Sequence, residues 1–258
     1  LPRSISIPMG KQFPMSKLFI VSTPIGNLKD ISLRALEVLK EVSAIAAEDT
    51  RITSKLLFHY EIRKPLFAYS YQIDSPKNKK LFDLLKEGKD VALVTDAGMP
   101  GISDPGGKIV ERALREFGAE VHPVKSAEGG AVEQQFNRVK IIPIPGANAA
   151  LAALSISGFP TDKFLFLGFP PHKKGRQKFF QEVADSAHTV VFYESPHRII
   201  KTMEALVAHP DLKERLLVVA RELTKKFESI YRGRAEEILG KYADELTRGE
   251  IVIVVGKN

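Results

Sequence analysis

Short apolar runs alternate along the chain with stretches in which apolar residues recur every three or four positions. Leu18–Ser22, Ala44–Ala47, Leu66–Ala68 and Val91–Thr95 are apolar runs of strand length. Between them, Leu33, Leu36, Val38 and Leu39 recur at helical spacing, and Leu81, Leu84 and Leu85 share one face of a helix predicted over 77–87 and stopped by Gly88. A helix over Ile109–Phe117, stopped by Gly118, and a strand over Glu120–Val124 continue the series. Strands apolar on both faces, alternating with helices, predict a parallel sheet covered on each side.

A second series begins with an Ala-rich helix, Ala147–Ser157. Strands are predicted at Phe164–Leu167, Val190–Tyr193, Leu216–Ala220, Ser229–Tyr231 and Ile251–Val255, and helices over 174–184, 197–207 and 234–245. The simplest partition is two α/β domains, 15–143 and 144–258, joined near Ile141–Gly146. Residues 125–140 contain Gly129-Gly130 and interrupt the order, which predicts a structured loop or a short added helix from Ala131 to Val139. Residues 1–14 read as a tag or frame extension: they lack the charged start and long apolar core of a signal peptide, and Met15 opens a cleaner start.

Composition narrows the function classes. In 258 residues, 44% are hydrophobic and 27% charged, which excludes a disordered chain. The absence of cysteine excludes a disulfide scaffold, a thiol nucleophile and every thiolate metal site, and fits a reducing cytoplasm. The six histidines show no HxxH or HExxH spacing, so no metal site is expected, and no apolar run is long enough to span a bilayer. Lys plus Arg exceeds Asp plus Glu by 38 − 31, or +7, which is compatible with a nucleic-acid partner without requiring one.

The chemistry sits at strand ends, where parallel sheets bind ligands. The first series offers Thr23-Pro24-Ile25-Gly26-Asn27, Glu48-Asp49-Thr50-Arg51 and the loop DAGMPGISDPG from Asp96 to Gly106. The second offers FPPHKKGR, YESPHR, ARELTK and Arg248-Gly249-Glu250. Turn building by Gly, Pro and Asp is the competing reading of each loop. There is no GxxxxGK[ST] and no clear GxGxxG after a strand, so no phosphate loop. The DAGMPGISDPG loop has a wandering backbone suited to reading an adenine or ribose, with Asp96 and Asp104 as acceptors; Asp104 as a helix cap is the alternative. Arg51 suits a phosphate, or Asp49 is a cap with Arg51 solvated. His172, Lys173, Lys174, Arg176 and Lys178, near Phe169, form a basic stretch suited to a nucleic-acid backbone, or else a solvated helix start.

Taken together, STPIGNL, RALEVL, AEDTR, DAG-P-ISDPG, PIPG, FPTDKFLFLGF, FYESPHR and VVARELTK resemble the ribosomal RNA small subunit methyltransferase I group of the tetrapyrrole methylase superfamily, from about Leu18 to Val255. The resemblance implies two α/β domains with S-adenosylmethionine (SAM) in the cleft between them. It implies methyl transfer to the 2′-oxygen of a cytidine ribose in the decoding region of the small-subunit ribosomal RNA, with the free RNA or the assembled subunit as partner. A cytoplasmic homodimer, with no membrane and no metal, completes the expectation. Carried over residue by residue, it assigns cofactor contacts to Pro24, Ile25, Asp96, Gly98, Ile102, Ser103, Asn148, Ala149, Tyr193, Ala220 and Glu250. The chain departs from the usual pattern at Met99, where Thr is common, and at Asn148. By the same resemblance, residues 125–140 are expected to have no usual counterpart and the family's C-terminal helical extension is expected to be missing.

Alignment of a ribose hydroxyl with the activated methyl group supplies most of the acceleration, and a general base would assist. Asp49, Glu194, Glu222 and Lys225 are unranked candidates for that base, Lys225 on condition that a basic cleft depresses its pKa. Arg51, Arg198 and Arg221 are assigned to RNA phosphate, with Lys173, Lys174 and Arg176 as an outer patch. A precorrin-type tetrapyrrole methylase is the alternative within the class. A SAM- or RNA-binding protein without activity is the alternative outside it.

Overall fold

The computed structural model describes residues 15–117 and 139–257; the expectations placed on 1–14, Gly118, Glu120–Val124 and residues 125–138 lie outside the described residues. The chain divides into two compact units. Of the described residues, one holds those up to Ser22 together with those from Ser32 to Pro145, and the other holds Thr23–Ile31 with those from Gly146 onward.

The first unit runs β1 (Ser16–Val21), α1 (Leu33–Glu41), β2 (Ala44–Ala47), α2 (Thr50–His59), β3 (Leu66–Ala68), α3 (Pro76–Lys86), β4 (Val91–Val94), α4 (Gly106–Phe117) and β5 (Val139–Ile144). Its strands pair in the order β3-β2-β4-β1-β5, every pair parallel. Burial explains the unbroken apolar runs: all four residues of β2 and all four of β4 are buried. On one face Leu81, Phe82 and Leu85 of α3 and Ile109, Ala113 and Phe117 of α4 pack with Leu18, Ile20, Val91 and Leu93. Helix α2 has no clear apolar period in the sequence, because only Thr53, Leu56 and Leu57 are buried while Phe58 faces solvent. Its start is set by Asp49, whose side chain accepts from Arg51 N.

The second unit runs α5 (Ala149–Ser155), β6 (Phe164–Phe166), α6 (Arg176–Asp185), β7 (Thr189–Glu194), α7 (Ile199–Ala208), β8 (Leu216–Arg221), β9 (Ser229–Arg234), α8 (Ala235–Leu246) and β10 (Ile251–Val255). Its sheet is mixed, in the order β6-β7-β10-β8-β9, with only β6 and β7 parallel. The parallel sheet predicted for the first series is thus confined to the first unit. Side chains alternate between its faces. Val190, Phe192, Val219, Ile251 and Ile253 face a core built with α6, α7 and α8, while Val191, Val218, Val252 and Val254 face Ala150, Ala153 and Leu154 of α5.

Ile25 and Leu223 belong to that second face, which is why residues 23–31 pack with this unit although they follow β1 of the other. Because β7 and β8 both run antiparallel to β10, their carboxyl ends and the start of β10 share one edge: Ile251 pairs with both Glu194 and Arg221. YESPHR, ARELTK and Arg248-Gly249-Glu250 therefore meet at that edge in spite of the mixed directions. No helix among the described residues is long and apolar enough to cross a membrane.

Candidate functional site

All strands of the first unit end at one edge, and the two acidic loops there brace each other. Glu48, directly after β2, accepts from Thr95 Oγ1 at 2.5 Å and from Asp96 N at 3.3 Å, across from the end of β4. Asp96 in turn accepts from Asp49 N at 3.0 Å. Burial, with the Glu48 carboxylate close by, raises the Asp96 pKa. Asp49 is different: its hydrogen bonds with Arg51 hold its pKa down to about 2. Arg51 Nε and Nη2 both clasp it, with Nη2 at 2.5 Å from Oδ2, yet the Arg51 side chain remains 87% exposed. The capping reading of Asp49 is thus what the structure shows, with Arg51 presented outward by its own cap.

The loop from Asp96 to Gly106 holds itself. Asp104 accepts from Gly101 N at 2.8 Å and Gly106 N at 2.7 Å, so it ties the loop to the first turn of α4. A Cβ on Gly106 would stand 2.8 Å from Gly101 N, so no side chain fits there. Gly98 (φ 81°), Gly101 (φ 92°) and the non-glycine Ser103 (φ 68°) all take the left-handed conformation. The chain therefore turns repeatedly past Gly98 and leaves Ile102 41% exposed, an apolar side chain offered to solvent by a rigid loop. Met99 contributes its backbone carbonyl to the turn, accepting from Ile102 N.

Tyr69 is buried beside this cluster. Burial, and then the charges of Asp104, Glu48 and Asp96, raise its pKa far above the ordinary value. A raised tyrosine pKa contributes stability that is intact below about pH 10 and is lost as pH rises beyond it, because only the unfolded chain then releases the proton. Tyr69→Phe should therefore lose less stability than the unaltered protein between neutrality and pH 10.5, read as the Tm difference between the two. Parallel Tm curves would contradict it.

In the second unit three loops lock together. Lys225 Nζ lies 2.9 Å from Glu222 Oε1 and 3.2 Å from Glu250 Oε2, and Glu222 Oε1 also accepts from Glu250 N at 2.9 Å. A Cβ on Gly26 would fall 2.4 Å from Lys225 Cγ, and one on Gly249 would fall 2.4 Å from Glu222 Cγ. Both glycines are required by close approach, and Glu222 (φ 52°) and Thr224 (φ 66°) carry backbone strain to make the turn. Burial opposes the Lys225 ammonium, but its bonds to the two carboxylates prevail and raise its pKa. The expectation of a depressed Lys225 fails for that reason: its neighbours are acids, not a basic cleft. Glu222, desolvated but bonded to Glu250 N and Lys225, is held below the ordinary value.

Glu194 is equally committed. Its side chain is fully buried, at 2.8 Å from Arg198 Nη2 and 3.7 Å from Arg176 Nη1. Thr202 Oγ1 donates to it at 2.5 Å while accepting from Arg176 Nη2, and Ser195 N donates at 2.7 Å. Arg198 also spends Nε on Ser195 Oγ and Nη1 on the Pro170 carbonyl. Arg221 donates to the carbonyls of Arg248 and Phe227. Arg176, Arg198 and Arg221 therefore brace the fold through these internal partners. Lys173 and Lys174 are exposed, as an assignment to RNA phosphate requires.

Of the residues assigned to the cofactor, Pro24 and Ile25 are buried, and Ala220, within β8, is fully buried on the face that α5 covers. Asn148 caps α5, its Oδ1 accepting from Leu151 N at 3.0 Å, and the half-buried Ala149 opens that helix. The departure at Asn148 thus has a structural use. Sequence reasoning missed Glu48 as the acceptor joining β2 to β4, and Thr202 as the partner of Glu194. Its signal was available in part, since Thr202 stands on the buried face of α7.

With this geometry in place, the comparisons with known proteins decide the family. The family profile of the tetrapyrrole (corrin/porphyrin) methylases matches residues 17–239. The chain belongs to the tetrapyrrole methylase family. This methylase is 40% identical over 241 residues to the ribosomal RNA small subunit methyltransferase I of Thermotoga maritima, covering 93% of this chain and 98% of that protein. It is 41% identical over 242 residues to the protein of that name from Halalkalibacterium halodurans, covering 93% and 76%. Among solved structures, diphthine synthase superposes with a TM-score of 0.63 at 17% identity, covering 93% of this chain and 90% of that one. The uroporphyrin-III-C-methyltransferase of Thermus thermophilus gives 0.58 at 20%, covering 93% and 94%. Those two likenesses carry the fold alone. The methyl donor of the methylase is SAM.

Proposed function

We propose that this methylase transfers the methyl group of SAM to the 2′-oxygen of a cytidine ribose in the decoding region of the small-subunit ribosomal RNA. The observation that carries the reading is the similarity along nearly the whole chain to proteins named for ribosomal RNA methylation. The self-held glycine loop and the outward-facing cations support it. The alternative of a methylase for a carboxylated macrocycle is disfavoured by that same similarity, since a basic stretch would hold carboxylates as readily as phosphates.

SAM supplies a methyl group already activated on a sulfonium. The residues that fit it are Gly98, Ile102 and Ser103: a backbone turning without a Cβ at Gly98, and an apolar side chain held out at Ile102. Asp96, with its raised pKa, accepts from a ligand hydroxyl or amino group. Arg51, held by Asp49, and the exposed Lys173 and Lys174 take RNA phosphates. Glu194, Glu222 and Lys225 act by positioning loops, since each is held by internal partners. Asp49, pulled down to about 2 by Arg51, is too weak a base to draw a proton from a ribose hydroxyl. Acceleration therefore rests on alignment. The protein works in the cytoplasm as a homodimer.

The site of transfer has a direct chemical test. A methyl on the 2′-oxygen blocks alkaline cleavage of the following phosphodiester. Ribosomal RNA treated with the protein and SAM should therefore yield one new alkali-resistant dinucleotide beginning with cytidine. Methylation that leaves alkaline cleavage complete would place the methyl on a base and refute the ribose assignment.

A further inference from the structure

The loop between β6 and α6 carries an aromatic side chain that no core claims. Phe169 is 50% exposed, although it is the kind of residue a fold normally buries. It is not loose. The ladder between β6 and β7 continues past Phe166 through Leu167 N to Val191 O at 3.0 Å and Tyr193 N to Gly168 O at 2.7 Å. Gly168 then turns in the left-handed conformation (φ 62°). One side of the Phe169 ring rests on Tyr193, centroids 5.3 Å apart, and Tyr193 is itself wedged edge-on against Phe166 at 5.2 Å. Immediately beyond, Arg198 Nη1 grips the Pro170 carbonyl at 2.7 Å and is anchored on the buried Glu194. The ring is held against Tyr193 and remains half exposed.

Its surroundings select the occupant. Residues 168–178 contain no acid, and His172, Lys173 and Lys174 on the same loop, with Lys178 in the first turn of α6, are all exposed. A rigid exposed aromatic beside a cationic track is the arrangement by which proteins take single-stranded nucleic acid: the cations follow the phosphates while an unpaired base stacks on the ring. We infer that Phe169 is a stacking platform for an unpaired base of the RNA substrate, and that the Glu194–Arg198–Pro170 brace is the positioning device that holds it. The inference rests on the proposed RNA substrate and adds to it that the RNA is recognised in single-stranded form by this loop.

The test measures binding of a short fluorescein-labelled single-stranded RNA, and of the same strand annealed to its complement, as a function of salt. Phe169→Ala should weaken single-strand binding about fivefold or more, because loss of one stacked base costs at least that much. The slope of log affinity against log salt should stay unchanged, since no charge is lost. Lys173→Ala should instead shallow that slope by about 0.7. Phe169→Tyr and Phe169→Trp should restore affinity, Phe169→Leu should not, and duplex binding should be indifferent to all of them. Unchanged single-strand affinity in Phe169→Ala would overturn the inference. So would full function in Phe169→Leu, an equal loss on duplex, or no single-strand binding by the unaltered protein. Methyl transfer to ribosomal RNA by the unaltered protein is scored separately, so that failure of the platform is distinguished from failure of the proposed substrate.

Discussion

Glu194→Ala should destabilise the protein by about 3–5 kcal/mol, because it strands two arginines around a buried carboxylate that nothing replaces. The Glu194 side chain is fully buried, and the side chains of Arg176 and Arg198 are 19% and 16% exposed, so water cannot repair the loss cheaply. Four donors converge on the carboxylate: Arg198, Arg176, the Thr202 hydroxyl and Ser195 N. Glu194→Gln keeps an acceptor for Thr202 or Ser195 but drops the charge, so its cost should fall between zero and that of Ala. Urea unfolding followed by circular dichroism reads both. A cost under about 1 kcal/mol for Glu194→Ala would place it among ordinary surface substitutions and contradict the brace.

Gly98→Val should abolish SAM binding. Gly98 is buried at φ 81°, where a β-branched residue is strained, and the proposed cofactor contact is with its backbone. Strain alone must be separated from obstruction. Gly158 provides the control, since it has a similar φ of 77° and a Cβ there would meet nothing within 4 Å. Gly158→Ala should retain SAM affinity by calorimetry while Gly98→Val shows no binding heat, with both folded by circular dichroism. Undiminished affinity in Gly98→Val would move the cofactor away from the loop.

Much of the fold is legible in the sequence for one reason: buried strands have no polar face to disguise them. Ala44–Ala47 is recovered with the bounds that its composition alone suggests, and Val91–Thr95 to within a residue. Strand direction in the second unit is a different matter, because an apolar run looks alike in parallel and antiparallel pairs. The short link over 222–228 was the available signal, since seven residues cannot cross over a sheet and must close an antiparallel pair. The packing of residues 23–31 with the second unit has no local signature; it depends on Ile25 meeting Leu223 and Ala150, residues far away in sequence.

The site divides in the same way. Loops with Gly, Pro and acids announce themselves, and the glycines at 26, 98 and 249 are demanded by close approach or by positive φ. The roles of charged residues are less legible, because a charge in sequence carries no partner. Arg176, Arg198 and Arg221 read as phosphate ligands, and the sequence does not show that Glu194, Thr202 and three backbone carbonyls also engage them. Lys225 reads as a base until two carboxylates are found on it. In each case a contact invisible in the local sequence gives the residue a structural role.

The central claim is tested most directly by incubating the protein with methyl-labelled SAM and small ribosomal subunits that lack the modification, then mapping the label along the RNA. The account predicts label in the small-subunit ribosomal RNA, confined to one cytidine of the decoding region and absent when SAM is withheld. SAM binding by calorimetry with no label entering the RNA, or label confined to a protein or a small tetrapyrrole offered in competition, would contradict it.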